Sequence, residues 1–328
     1  MKALWITLIT FILIILLILL FKFYLNFTVG WDRSPTCLVG KTALVTGANT
    51  GIGFYTAQDF AKRGARVILA CRDLSKAEEA KSKIIEATGN PNVVVKIVDL
   101  SSLASVRKFA VEIKATEDRL DILVNNAGVA FFKNSFTQDD LSLSMQVNHF
   151  GPFLLTILLL GLLKRSSPSR IVMVSSSLAQ MAQLNIDDLN NVPNRWFKQL
   201  IEYSNTKLCN ILIANELARR LKQTGVDVNS VHPGAVQTDV LRYLPSVKQR
   251  IAKFITKLFY KTTEEGAQTT IYVAVSKEIS GTSGAYYADC KKCKMIKAAN
   301  NVQLANELWQ KSERFVKLTT EEKQLLVN

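Results

Sequence analysis

Tyr203-Ser204-Asn205-Thr206-Lys207 places a phenol and an ammonium four residues apart. In a helix that spacing puts both on one face. A phenol ionises near pH 10, so by itself it is a weak base at neutral pH. A nearby ammonium favours the phenolate, and a Tyr so tuned can exchange a proton with a reacting oxygen. The pair alone is also what a core Tyr beside a solvated Lys would look like. Its meaning depends on what the rest of the chain brings near it.

A second stretch can hold a dinucleotide. Thr42-Ala-Leu-Val-Thr-Gly47-Ala-Asn-Thr-Gly51-Ile-Gly53 reads as a strand running into glycines and then a helix. Glycines permit the tight turn and let backbone approach a pyrophosphate. The helix N-terminus supplies free N–H groups and a positive dipole end. Gly47, Asn49, Thr50, Gly51, Ile52 and Gly53 are therefore expected to line a cofactor. The following strand ends at Cys71-Arg72-Asp73. An acid at the strand end selects the free ribose hydroxyl of NAD, whereas a guanidinium pairs with a 2′-phosphate. Cys71 takes the acid's place and Arg72 follows, so NADP(H) is expected; Asp73 leaves open an alternative ribose contact. Asp99-Leu100 and Asn126-Ala127-Gly128 lie at further strand ends, where open α/β sheets bind ligands.

Short apolar runs alternate with helical patterns from Thr42 to Val231. That order predicts a Rossmann-type α/β fold: a doubly wound parallel sheet of about seven strands covered by helices on both faces. Ahead of it, Ala3–Phe21 has no charged residue and is bounded by Lys2 and Lys22. As a helix it would span roughly 28 Å, a bilayer's hydrocarbon core. Bulky residues follow it rather than a small-residue cleavage site, which favours an anchor over a signal peptide. The flanking charges leave its orientation open. The expected organisation is an anchor at 1–22, a linker at 23–40, a catalytic domain at 41–297 and a helical tail at 298–328.

The charge balance is +14, from 41 Lys and Arg against 27 Asp and Glu. It suits a phosphorylated cofactor or an anionic membrane, and no zinc-finger or RNA-binding signature points to nucleic acid. Five cysteines do not read as a disulfide framework. Cys290 and Cys293 have redox or half-zinc spacing, but no second pair follows and the only histidines are His149 and His232, so no metal is expected. Residues 247–261 form a basic amphipathic pattern: Val247, Ile251, Phe254, Ile255, Leu258 and Phe259 at helical spacing, with Lys248, Arg250, Lys253, Lys257 and Lys261. It fits both a lid packed on the body and a helix lying on a membrane.

Taken in order, Thr46-Gly47-x-x-x-Gly51-Ile-Gly53, Asn125-Asn-Ala-Gly128, Ser176, Tyr203-x-x-x-Lys207 and Pro233-Gly234 resemble the short-chain dehydrogenase/reductase family. Ala70-Cys-Arg-Asp73, Val147-Asn-His-Phe-Gly151 and Val231-His-Pro-Gly234 resemble its membrane-anchored retinol dehydrogenase group. The resemblance implies NADP(H)-dependent interconversion of a lipophilic alcohol and its carbonyl compound, with retinol and retinal first. A steroid, an isoprenoid alcohol such as farnesol, or a lipid aldehyde would be alternatives. It also implies residence in the endoplasmic reticulum membrane with a cytosolic catalytic domain. Asn148, Ser176, Tyr203 and Lys207 would be the catalytic tetrad, with Asn148 holding a water and Lys207 the nicotinamide ribose. Pro233, Gly234 and Thr238 would flank the nicotinamide, and His232 would be structural. Ser175 and Ser177 compete with Ser176 for its role, although the strand end favours Ser176. Two departures bear on the substrate wall: Glu202 precedes the Tyr, and Tyr203 comes 27 positions after Ser176. A different class remains, a dinucleotide-binding scaffold or redox sensor, which would need the glycines but not Tyr203.

Overall fold

The computed structural model describes residues 5, 9, 10, 12, 13, 16, 17, 20, 23, 27, 29–130, 135–192, 195–236 and 260–326. Thr238, nearly all of the basic segment 247–261 and most of the expected anchor lie outside these. The described positions from Trp5 to Phe27 are helical and exposed.

The chain alternates as expected. Strand β1 (Thr42–Thr46) leads to α1 (Gly51–Lys62), β2 (Arg66–Cys71) to α2 (Leu74–Thr88), and β3 (Val93–Ile97) to α3 (Leu103–Thr116). Then follow β4 (Ile122–Asn125), α4 (Gly151–Arg165), β5 (Ser169–Val174), α5 (Trp196–Arg220) and β6 (Val226–Val231). Helix α6 (Thr263–Val275), β7 (Tyr286–Ala288), β8 (Lys291–Lys292), α7 (Val302–Phe315) and α8 (Thr320–Gln324) come after them. The sheet order is β3-β2-β1-β4-β5-β6-β7-β8, with only the β7–β8 pair antiparallel. The seven parallel strands match expectation, and the two-residue β8 is an addition too short to leave a pattern.

The central strands β1, β4 and β5 are buried on both faces, which is why they read as unbroken apolar runs rather than alternating ones. Leu44, Ile68, Leu123 and Ile171 join the core under α3, α4, α5 and α7. Val45, Leu69, Val124 and Val172 join the opposite core under α1 and α6. Leu143–Arg165 is apolar and long enough to cross a membrane, but 94% of its apolar window is buried inside the fold. It is the central core helix.

Helix ends are set locally. Asp73 caps α2 through the Lys76 amide, and Gly89 closes that helix in the left-handed region at φ 68°. Thr262 and Glu265 form a reciprocal capping box on α6. The N-terminus of α1 differs: Thr50 makes no side-chain cap, and the first turn carries no acid.

The flanking segments are not loose. Leu308 and Trp309 of α7 are buried in the main core. Arg107 ties α3 to Glu322 at 2.8 Å. On the other side, residues 30–38 run extended over the body, held by Arg63.

Candidate active site

The order reversal between β1, β2 and β3 on one side and β4 onward on the other opens a crevice at the carboxyl edge of the sheet. The glycine turn sits there. Gly47 has φ 64°, a conformation that favours glycine. A Cβ on Gly53 would lie 2.5 Å from the Gly47 carbonyl oxygen and from Asn126 Nδ2. Asn126 braces the turn by donating from Nδ2 to the Thr46 carbonyl at 2.8 Å, while its own amide donates to Thr46 Oγ1 at 2.9 Å. The turn thus delivers an uncapped helix N-terminus to a backbone that nothing bulkier than hydrogen could approach so closely. That cradle fits a pyrophosphate.

At the end of β2, Cys71 is buried and Arg72 exposed. Burial pushes the Cys71 thiol up to about 11, against backbone hydrogen bonds from Ala48 and Asn49. Asp73 spends an oxygen on the Lys76 amide at 3.1 Å as the α2 cap. The alternative of Asp73 as ribose acid therefore competes with a structural duty. At the end of β3, Asp99 Oδ1 accepts from the Ser101 amide and hydroxyl at 2.9 and 2.6 Å. Leu100 is buried beneath Gly151.

The expected tetrad comes together beyond β4 and β5. Ser176 Oγ accepts from the Leu178 amide at 3.2 Å and is hydrogen-bonded with the Tyr203 phenol. Ser175 instead donates to the Lys207 carbonyl at 2.7 Å, and Ser177 is exposed. Of the three serines, Ser176 is the one that meets Tyr203. Lys207 Nζ donates to the Val174 carbonyl at 3.1 Å and lies 5.6 Å from the centre of the Tyr203 ring. Gly128 makes room for it, since a Cβ there would be 3.2 Å from Lys207 Nζ and 3.5 Å from Asn148 Oδ1.

Asn148 lies in a π-helical turn, Gln146–Phe150, of the kind often found at functional sites. It does not cap its own helix. Its Oδ1 accepts from the Val129 amide at 2.7 Å, and its Nδ2 donates to the Val129 carbonyl at 2.8 Å and to Thr206 Oγ1 at 3.1 Å. Asn148 thereby clamps the loop after β4 to helix α5.

The electrostatics differ from the expectation for Tyr203. Burial pushes its phenol up to about 12, and the Ser176 hydrogen bond opposes this only partly. Burial lowers Lys207 to about 8. Desolvation outweighs the mutual effect of the pair, because both lie in the same poorly hydrated corner. Glu202 does not face this corner. Its carboxylate accepts from the Ser142 hydroxyl, and burial raises its pKa.

His232 Nδ1 accepts from the Gly234 amide at 3.2 Å, so it shapes the loop carrying Pro233 and Gly234. Tyr286 was not expected here. Its hydroxyl donates to the Ser176 carbonyl at 3.5 Å, and its ring lies 5.4 Å from that of His232. Tyr286 belongs to a three-residue strand with no motif around it, so only its pairing with β6 brings it in. Cys290 sits in the β7–β8 turn and Cys293 beyond β8, and no cluster of three potential metal ligands occurs among the described residues.

The profile of the short chain dehydrogenase family matches residues 41–249. The chain belongs to that family. Within it the chain is retinol dehydrogenase-like, and its chemistry is that of an oxidoreductase. It is 44% identical to retinol dehydrogenase 14 of Mus musculus over 86% of this chain and 87% of that one. It is 42% identical to retinol dehydrogenase 12 of Bos taurus, over 86% and 88% of the two chains. Dehydrogenase/reductase SDR family member 13 of Bos taurus is 41% identical over 87% and 77%. Among solved structures, an uncharacterised protein of Mycobacterium paratuberculosis superposes with a TM-score of 0.69 at 29% identity, covering 88% of this chain and 98% of that one. A short chain dehydrogenase of Escherichia coli, solved in complex with NADPH, superposes with a TM-score of 0.61 at 26% identity, covering 78% and 99%.

Proposed function

We propose that this protein is a membrane-anchored, NADP(H)-dependent oxidoreductase that interconverts a lipophilic alcohol and its carbonyl compound, with retinol and retinal as the first pair. The observation that carries the reaction is the convergence of Ser176, Tyr203 and Lys207 at the carboxyl edge of the sheet, beside the glycine cradle. A scaffold that only bound a dinucleotide would need the cradle but not this convergence. The substrate class follows the retinol dehydrogenases among its relatives.

The cofactor, when bound, supplies the hydride donor or acceptor. The protein's residues do the rest. Gly47, Gly53 and the α1 N-terminus, with Asn49, Thr50, Gly51 and Ile52 around them, hold the pyrophosphate. Arg72 pairs with the 2′-phosphate, and Asp99, Leu100, Ala127 and Gly128 line the crevice between. Pro233 and Gly234 form the far wall, and the family resemblance assigns Thr238, outside the described residues, to the nicotinamide as well. Ser176 holds the substrate oxygen beside the Tyr203 hydroxyl. With its phenol near 12, Tyr203 is protonated at neutral pH and would give its proton to the substrate's carbonyl oxygen while the carbonyl carbon takes up the hydride. Lys207, charged at neutral pH and held by Val174, positions the ribose and stabilises the phenolate that donation leaves. Asn148 fixes the Gly128–Val129 segment against α5, which keeps Lys207 in place.

Ala3–Phe21 anchors the chain in a membrane, with the endoplasmic reticulum and a cytosolic catalytic domain as the placement. The helical, exposed positions between Trp5 and Phe27 support this.

Purified full-length protein given NADPH and retinal should consume NADPH. Tyr203→Phe should abolish turnover while NADPH still binds. Binding of NADPH without reduction of any aldehyde or ketone in a lipophilic panel would favour the scaffold. Arg72→Ala should weaken NADPH about 10- to 100-fold and NADH little, since one charge-assisted contact is lost; equal losses would remove the 2′-phosphate assignment.

A further inference from the structure

Residues 30–38 alternate in exposure. Trp31, Arg33, Pro35 and Cys37 face outward, while Asp32, Ser34, Thr36 and Leu38 turn toward the body. The inward row is fastened. The Asp32 carboxylate meets Arg63 Nη2 at 2.8 Å with its side chain only 1% exposed. The Asp32 amide donates to Gln268 Oε1 at 3.2 Å, Arg63 Nη1 donates to the Ser34 carbonyl at 2.7 Å, and the Leu38 amide donates to the Arg63 carbonyl at 2.9 Å. A half-buried, multiply bonded guanidinium facing a buried carboxylate holds a segment in one place far better than a surface pair. At its start the strap is pressed against the β7–β8 turn: a Cβ on Gly30 would collide with the Asp289 backbone.

That hairpin is strongly basic. Lys291, Lys292 and Lys294 are exposed, and among the described residues none of them pairs with a carboxylate. The neighbouring acid, Asp289, is neutralised by Lys261. Lysines on an edge strand also discourage pairing with another sheet. That role does not require the hairpin to be pinned beside residue 30. Gly30 follows Phe21 by nine residues, so even a fully extended chain sets it no more than about 30 Å from the end of the apolar run. Trp31, 45% exposed, stands on the outward face beside it with Arg33, and Trp is favoured at membrane interfaces.

We propose that the β7–β8 hairpin is a binding surface for anionic lipid headgroups, presented to the bilayer by the strap that Arg63 fastens. It rests on reading Ala3–Phe21 as an anchor. Lys291, Lys292 and Lys294 meet the headgroups, with Arg33 and Trp31 at the same interface. The contact bears on the active site, because Lys261 bonds the hairpin turn, donates its amide to the Ala235 carbonyl and lies against Gly234. Docking the hairpin therefore brings the Pro233–Gly234 loop toward the membrane, from which a lipophilic substrate comes.

The test uses the full chain in nanodiscs of phosphatidylcholine alone, or of phosphatidylcholine with phosphatidylserine. Incorporation is measured first, then amide exchange across residues 286–294. The expected result is exchange about tenfold slower in the serine-lipid discs, lost at high salt and lost in K291E/K292E/K294E. NADPH binding by that variant verifies its fold. A chain that stays out of neutral discs overturns the anchor reading and this proposal with it. A chain that enters them but shows equal exchange in both lipids, or keeps its protection in the triple variant, overturns this proposal alone.

Discussion

Lys207 is a buried amine that donates to the Val174 carbonyl, and burial has lowered it to about 8. In an unfolded chain a lysine titrates near 10.4. Between those values the unfolded state binds more protons than the folded one, so stability rises with pH across that window. Below about 8 both states are protonated and the desolvation penalty is fully present. Lys207→Met should therefore raise stability without added cofactor by about 1–3 kcal/mol at neutral pH, while abolishing turnover. The gain over wild type should shrink as pH rises through 8, readable by denaturant titration at several pH values. A gain independent of pH would mean that packing, not charge burial, is responsible. Tyr203 carries the complementary lesson. Its four-residue spacing to Lys207 was legible, but the direction of its shift was not, because desolvation depends on what surrounds both groups.

The glycine turn and α1 act as a unit. Gly53 lies in the first turn of α1, yet the constraint on it comes from Gly47 and from Asn126 beyond β4. Gly53→Ala would force a Cβ to within 2.5 Å of the Gly47 oxygen. The turn must move, and dinucleotide affinity should fall by about 10- to 100-fold, since overpacking costs about 1–3 kcal/mol. Fluorescence titration with NADPH measures it; retained affinity would show that the cradle is not the phosphate site. The motif announced the turn, whereas the role of Asn126 as its brace needed the β1–β4 pairing. Asn148 is a similar case. Its tie to Val129 and Thr206 crosses three elements, and local sequence could not distinguish that tie from a helix cap.

Across the molecule, the helices after the sheet are part of the core rather than an appendage. Trp309 is 1% exposed, packs edge-on to Phe153 at 5.0 Å and lies 4.3 Å from the Arg220 guanidinium. Ser312 bonds His149 Nε2 at 2.8 Å, next to Asn148 in sequence. Trp309→Ala should cost about 3–5 kcal/mol of unfolding free energy, seen in urea titration. Removing residues 298–328 should impair the tetrad as well as stability, since the helix that carries Asn148 then loses its cover.

By itself the sequence determined the βαβ order, the glycine turn after β1 and the one-face spacing of Tyr203 and Lys207, because strand burial, glycine geometry and helical spacing are local and periodic signals. Only the tertiary structure decided which of three adjacent serines meets the phenol, that Glu202 turns to Ser142, and that Tyr286 joins the site. It also decided that the segment before the domain is a fastened strap. Each of these depends on residues far apart in the chain, where hydrogen-bond partners and dielectric surroundings are set by packing rather than by any pattern along the sequence. Tyr203 and Lys207 lie on one face because helices have a period of 3.6 residues. They have displaced proton affinities because the fold removed water from around them.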